Sequence, residues 1–72
     1  MQIDMFDPVS QNKAILKALK NGERLTPLDI FKRFNSLRAS ARIFDIRDMG
    51  YDVGTDMVKR GTKRVAEYYL KN

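Results

Sequence analysis

Hydrogen-bond donors are concentrated in the segment 37–49, which reads LRASARIFDIRDM. Arg38, Ser40 and Arg42 carry donor groups, and Ala41 between them is small enough to allow a close approach of the backbone to a partner. Arginine forms bidentate hydrogen bonds with base edges, and a helix that reads DNA carries such donors in its N-terminal half. The chemistry that this segment favours is therefore hydrogen bonding to bases in a major groove.

A second cluster of cations surrounds Gly61 and Thr62. Residues 59–64 include no acidic side chain and four basic ones, which are Lys59, Arg60, Lys63 and Arg64. Clustered cations neutralise phosphates and release counterions, so their binding to nucleic acid is sensitive to salt. The alternative is a solubilising charged turn that protects the edge of a β-sheet. The net charge of +5 is compatible with both roles.

The composition argues against catalysis. The 72 residues include no cysteine and no histidine, so a thiolate nucleophile, the usual general base and the commonest zinc ligand are missing. Asp45 and Asp48 share a helix face, but Asp52 and Asp56 follow Gly50 on a different element, and the spacing matches no metal-binding motif. We therefore expect no enzyme activity, no catalytic or metal-ligating residue and no cofactor.

Three helices are predicted from start and stop signals. Each begins after a residue type that caps helices, and these residues are Ser10, Thr26 and Ser36. Pro27 suits the first helical position because it has no amide hydrogen to lose there. The first helix is expected to end near Lys20, and the third is expected over residues 37–49. Gly50 then provides the left-handed residue with which many helices end.

After Gly50 the pattern changes from helical periodicity to alternation. Residues 51–58 and 65–70 predict two strands, and the basic residues 59–64 predict the loop between them. The expected fold class is mostly α with a small β-hairpin, arranged as a winged helix-turn-helix of three helices and a C-terminal wing. One domain is expected over residues 1–72, with residues 1–9 as a short N-terminal arm or strand.

Helical geometry predicts which side of the third helix is buried. At about 100° per residue, the core-facing stripe comprises Ala39, Ile43, Ile46 and Gly50. The far side carries Arg38, Ala41 and Asp45, with Arg42 on its flank. Asp45 is expected either to pair with Arg42 or to accept a hydrogen bond from a cytosine amino group.

Aromatic side chains are expected to pack in the core or on a sheet face rather than to stack on bases. These residues are Phe31, Phe34, Phe44, Tyr51, Tyr68 and Tyr69. In the second helix the predicted apolar set comprises Leu28, Ile30, Phe31 and Phe34.

From Gln11 to about Leu70 the chain resembles the small winged helix-turn-helix domains of phage and prophage proteins. The likeness is carried by Ile15-Leu16 with Leu19, Leu25-Thr26-Pro27, the run 37–43, Ile46-Arg47 and Gly50-Tyr51, and LRASARIFDIRDMGY is its most specific stretch. The resemblance implies a winged-helix fold and DNA binding, and it implies no reaction. It also implies that Arg38, Ser40 and Arg42 lie on the presented helix.

Two functions follow as hypotheses. The first is a DNA-binding protein of phage or mobile-element type, such as a transcription regulator or an excisionase-like factor, with double-stranded DNA as its partner. The second is a protein-interaction module on the same scaffold, with Tyr68 and Tyr69 as anchors for a host or phage protein. The oligomeric state stays open in both.

The expected location is the cytoplasm. No apolar run approaches the roughly 20 residues of a membrane span, and the N-terminus lacks a signal-peptide pattern. A DNA-binding chain would be associated with the nucleoid, and a phage-encoded one would act in the host cytoplasm.

Overall fold

Helices precede strands in the computed structural model of the chain, which describes residues 8–71. The elements, in chain order, are α1 (Pro8–Lys20), α2 (Pro27–Phe34), α3 (Ala39–Asp48), β1 (Val53–Arg60) and β2 (Lys63–Leu70). The two strands form an antiparallel sheet. Three helices followed by a hairpin confirm the predicted winged helix-turn-helix arrangement.

The start of α2 is fixed by reciprocal hydrogen bonds. The amide of Asp29 donates to Thr26 Oγ1 at 3.2 Å, and the amide of Thr26 donates to Asp29 Oδ2 at 3.0 Å. This capping box satisfies two amides that a helix start otherwise leaves unpaired. At its other end Asn35 adopts φ 56°, and its amide donates to Phe31 O. The predicted helix start at Thr26-Pro27 is therefore confirmed.

The other two predicted caps were wrong. Helix α1 begins at Pro8, so Ser10 lies inside its first turn. Residues 8 and 9 of the predicted N-terminal arm belong to this helix, and residues 1–7 lie outside the described part of the chain. Ser36 Oγ accepts a hydrogen bond from the amide of Arg38 at 3.2 Å, which closes a turn before α3. Helix α3 consequently starts at Ala39, two residues later than predicted.

The core lies where the three helices meet the base of the hairpin. Its fully buried side chains are Ile15, Leu19, Leu25, Ile30, Ile43 and Ile46. Ala39 is also buried, so three of the four predicted core positions of α3 are confirmed. The fourth, Gly50, is exposed beyond the end of the helix, where its φ of 101° ends the turn.

Several apolar residues expected in the core lie at the surface. Leu28 is 58% exposed, Phe31 is 45% exposed and Phe44 is 68% exposed. Helices of 8 and 10 residues offer only a narrow inward stripe, and the smaller side chains of α3 occupy it. Phe34 and Tyr68 are buried as predicted.

The hairpin turn is shorter than the predicted loop. Residues 53–60 pair with residues 63–70, so only Gly61 and Thr62 connect the strands. Gly61 has φ 64°, which suits the first central position of a tight two-residue turn. The four cations predicted for a loop are therefore strand residues at the tip of the hairpin.

An isolated β-bridge joins β2 to the segment before α2. The amide of Leu25 donates to Tyr68 O at 2.9 Å, and the amide of Tyr68 donates to Leu25 O at 2.7 Å. The pair is an isolated antiparallel β-bridge outside the two-stranded sheet. It ties the start of α2 to the outer edge of β2.

Candidate nucleic-acid interface

Three of the predicted base-contacting residues lie together at the N-terminal end of α3. Arg38 and Ser40 are exposed, and Ala41 is partly exposed. They line one shallow depression together with Pro27 and Leu37. This depression joins the start of α3 to the start of α2.

Cations occupy cross-strand pairs at the hairpin tip. Lys59 lies opposite Arg64, and Arg60 lies opposite Lys63. Because successive strand residues point to opposite faces, each face of the tip carries one of these pairs. All four side chains are exposed. Like charges directly opposite one another destabilise a hairpin, so a bound polyanion would relieve a repulsion built into the fold.

The start of α2 connects the hairpin tip to α3. Arg60 and Val65 line a second depression with Pro27, Leu28 and Asp29, and the Asp29 carboxylate accepts a hydrogen bond from the amide of Thr26. Pro27 also lines the depression beside Arg38. The first turn of α3, the first turn of α2 and the side of the hairpin tip that carries Arg60 and Lys63 therefore form one continuous surface, which we call the cationic face. Lys59 and Arg64 lie on the opposite side of the tip.

Most cations at the start of α3 and at the hairpin tip have no acidic partner. Within residues 8–71, no carboxylate pairs with Arg38, Lys59, Lys63 or Arg64. Arg60 differs, because its Nη2 lies 3.1 Å from Glu67 Oε2. Four positive charges thus stay available for a polyanion.

Arg42 does not lie on the presented surface, contrary to the prediction. Its side chain is 12% exposed, and Nη2 lies 3.0 Å from Asp45 Oδ2. Its Nη1 donates to Gln11 Oε1 at 3.5 Å, and Asn12 Nδ2 donates to the same Asp45 oxygen at 3.2 Å. Arg42 therefore links α3 to α1, and the predicted Arg42–Asp45 pair is confirmed.

Gln11 is a buried polar residue whose role no local sequence pattern indicates. Its side chain is 3% exposed, and Nε2 donates to Phe34 O and Asn35 O, each at 3.3 Å. These bonds satisfy carbonyl groups at the end of α2. Gln11 thus holds α1 against the turn between α2 and α3.

Arg47 fixes the hairpin relative to α3. Its Nε and Nη2 donate to Val53 O at 3.1 and 2.9 Å, and Nη2 also donates to Thr55 Oγ1 at 3.0 Å. Val53 O lies at the start of β1, on the edge that β2 does not cover. Only the fold identifies this role, because an arginine in the last turn of a helix more often interacts with the helix dipole.

A charge network on the outer face of the hairpin holds its base. Arg24 pairs with Asp56 and with Glu67, and its guanidinium lies 4.3 Å from the centre of the Tyr69 ring. The hydrogen bond to Glu67 is the main cause that raises the pKa of Arg24 above its ordinary value. Glu67 also forms an ion pair with Arg60, so this network connects the base of the hairpin to its tip.

The two tyrosines predicted as protein-binding anchors differ in exposure. Tyr68 is 7% exposed and belongs to the core. Tyr69 is partly buried and is covered by the guanidinium of Arg24. The Tyr69 ring packs so closely over Gly54 that a Cβ at this position would clash with Tyr69 Cζ, and this packing holds the ring against the sheet.

Among the described residues, no three metal-ligating side chains lie close enough together to hold an ion. None of the helices in residues 8–71 has the length and apolar character needed to cross a membrane.

Comparison with known proteins identifies the family. A search of curated proteins and a search of solved structures each found no match to this chain. A family profile described as a winged helix-turn-helix domain matches residues 10–72, which is most of the chain. Domains of this kind typically bind DNA and are not enzymes. The sequence match and the order of three helices and a hairpin agree, and the chain belongs to the winged helix-turn-helix domain family.

Proposed function

We propose that this protein binds double-stranded DNA with the N-terminal half of α3 in the major groove and the hairpin tip on the sugar–phosphate backbone. The residues that we assign to the contact are Arg38, Ser40, Ala41, Lys59, Arg60, Lys63 and Arg64. Arg42 is assigned to the fold instead, because it is engaged by Asp45 and Gln11.

The observation that carries the proposal is the continuity of the cationic face. Two shallow depressions share Pro27, and together they run from Arg38 on α3 to Arg60 on the hairpin. A duplex docked on this face would place phosphates beside the hairpin tip while α3 reaches a groove. The like-charged cross-strand pairs at the tip gain stability from such phosphates.

The start of α3 suits an anion or a base edge. Its N-cap residue is Arg38, and the side chain of Arg38 makes no capping hydrogen bond. The first amides of a helix carry partial positive charge and are often satisfied by a ligand. Arg38 therefore adds a charge at the end of the helix that already favours anions.

No specific observation favours the alternative of a protein-interaction module anchored through Tyr68 and Tyr69, because one is buried and the other is covered. A regulatory or recombination role in a phage or mobile element stays a prediction of the sequence resemblance.

The test is fluorescence anisotropy on a random-sequence duplex across a series of salt concentrations. Each neutralised phosphate contributes about 0.9 to the slope of log affinity against log salt. We expect Lys63→Ala to reduce the slope by about that amount. Lys71→Ala is the charge-matched control, since Lys71 lies at the other end of the hairpin, 4.0 Å from Asp52.

Two results would contradict the proposal. One is the absence of binding even at about 50 mM salt, where phosphate contacts are strong. The other is an equal reduction of the salt slope in Lys63→Ala and Lys71→Ala. Such a result would mean that net charge alone, and not the hairpin tip, sets the affinity.

A further inference from the structure

The presented side of α3 is apolar where it lies furthest from the core. Leu37, just before the helix, is 84% exposed, and Phe44 is 68% exposed. Ala41 lies between them and is partly exposed. Residues three apart in a helix are neighbours on one face, so Ala41 and Phe44 are adjacent. We call these three side chains the apolar strip.

The apolar strip is continuous with the cationic face. Leu37 and Ala41 line the same depression as Arg38 and Ser40. The apolar groups lie along the middle of α3, and the cations lie at its N-terminal end and on the hairpin. A DNA duplex has the matching arrangement, because its base edges lie between two phosphate backbones. This charge arrangement favours DNA over a protein as the occupant of the strip.

Arginine readout of guanine is not the main option along this helix. Beyond Arg38, the next arginine, Arg42, is held by Asp45 and Gln11. Arg47 is engaged with the start of β1. The exposed Asp48 would repel nearby phosphates. The side chains left to face base edges along the middle of α3 are those of the apolar strip and Ser40, together with the Asp45 carboxylate, which is 39% exposed although it pairs with Arg42.

One base presents an apolar group in the major groove. The 5-methyl group of thymine projects there, and alanine and phenylalanine side chains make apolar contacts with it. Resting on the DNA-binding function above, we infer that Leu37, Ala41 and Phe44 read thymine methyl groups. They would give this protein a preference for sites in which thymines line the major groove under α3.

The test compares thymine with deoxyuridine, which lacks only the methyl group. Preferred duplexes are first selected from a random pool by the protein, and the selected sequence is then made again with deoxyuridine at every thymine. We expect the deoxyuridine duplex to bind at least about fourfold more weakly, which corresponds to one buried methyl group. Random-sequence duplexes with thymine and with deoxyuridine should bind the protein with equal affinity.

Variants assign the effect to the strip. Phe44→Ala and Leu37→Ala are expected to fold, because both side chains are mostly exposed, and circular dichroism checks this. In each variant the ratio of the affinities for the thymine duplex and the deoxyuridine duplex should move towards one. Met49→Ala is the control, since Met49 is 51% exposed at the other end of α3 and should keep the full ratio.

The outcomes separate this inference from the proposed function. Equal affinity for the two selected duplexes, or a ratio unchanged in Phe44→Ala and Leu37→Ala, overturns thymine recognition and leaves DNA binding intact. Failure to select any preferred sequence also overturns it, because methyl recognition requires discrimination. Absence of salt-dependent binding to any duplex overturns the proposed function itself, and the apolar strip would then belong to an interface with a protein.

Discussion

Replacing Arg42 with alanine should lower the stability of the domain and leave its choice of DNA sequence unchanged. The guanidinium pairs with Asp45 at 3.0 Å and is 12% exposed. Exposed ion pairs contribute about 0–1 kcal/mol, whereas removing one partner of a fully buried pair costs about 3–5 kcal/mol. The Asp45 side chain is 39% exposed and can be rehydrated. We therefore expect a loss of about 1–2 kcal/mol.

Thermal unfolding followed by far-ultraviolet circular dichroism measures this loss. For a domain of this size, about 1–2 kcal/mol corresponds to a fall of roughly 4–16 °C in Tm. A double-mutant cycle with Asp45→Ala isolates the pair, because two residues in contact should not lose stability additively. Binding is compared on selected and random duplexes at a temperature where the variant is folded.

Arg38→Ala is the matched control for Arg42→Ala. Arg38 lies four positions earlier, is exposed, and pairs with no carboxylate in residues 8–71. We expect the Arg38→Ala variant to keep the parental Tm and to lose about 1–3 kcal/mol of binding free energy for a selected site. If Arg42→Ala instead keeps the parental Tm and loses discrimination between DNA sequences, Arg42 reads bases and does not stabilise the fold.

Three smaller perturbations test the elements that hold the cationic face in place. Thr26→Ala removes the capping box with Asp29 and should lower the free energy of unfolding by about 1 kcal/mol in urea; an unchanged midpoint would show that the cap is dispensable. Gly50→Ala should lower the free energy of unfolding by about 1–3 kcal/mol, because φ is 101° at this position. A Cβ there would meet no atom within 4 Å, so the loss would come from the backbone conformation alone. An unchanged free energy of unfolding would mean that this conformation is not required. The hydrogen bond from Arg33 lowers the pKa of Glu23 below its ordinary value of 4.5, so its stabilisation is present above about pH 4.5 and is lost as the pH falls through the folded pKa. The Tm difference between the parent and Glu23→Gln should thus shrink on acidification, and a difference that grows would contradict the sign.

Local signals in the sequence were sufficient for the element order. Thr26-Pro27 followed by Asp29 predicts a helix start, and the structure has the capping box there. Gly50 predicts a left-handed exit and has φ 101°. These features depend on neighbouring residues only, because capping and left-handed conformations are decided within one turn of the chain. The order of the helices and the hairpin could therefore be predicted without knowledge of their packing, whereas the starts of α1 and α3 could not.

The division of the arginines could not be predicted from the sequence. Arg38 and Arg42 are one helical turn apart, and both are compatible with an exposed face. What separates them is Gln11 on α1, which lies 31 positions before Arg42 and accepts its hydrogen bond. A contact between distant segments leaves no local pattern.

The exposure of Phe44 was missed for a related reason. An aromatic residue in a short amphipathic helix is usually placed in the core. In this chain Ala39, Ile43 and Ile46 fill the inward stripe of α3 and leave Phe44 outside. The feature that suggests thymine recognition therefore emerged only from the packing.

Amide chemical shifts of the isotope-labelled protein, followed at low salt while a random-sequence duplex is added, locate the surface that contacts DNA. If the cationic face binds the duplex, we expect the largest changes on the amides of residues 38–41 and 59–64 and on Leu28 between them. Changes concentrated instead around Lys20, Tyr51 and Lys71, which line a depression at the base of the hairpin, would contradict it.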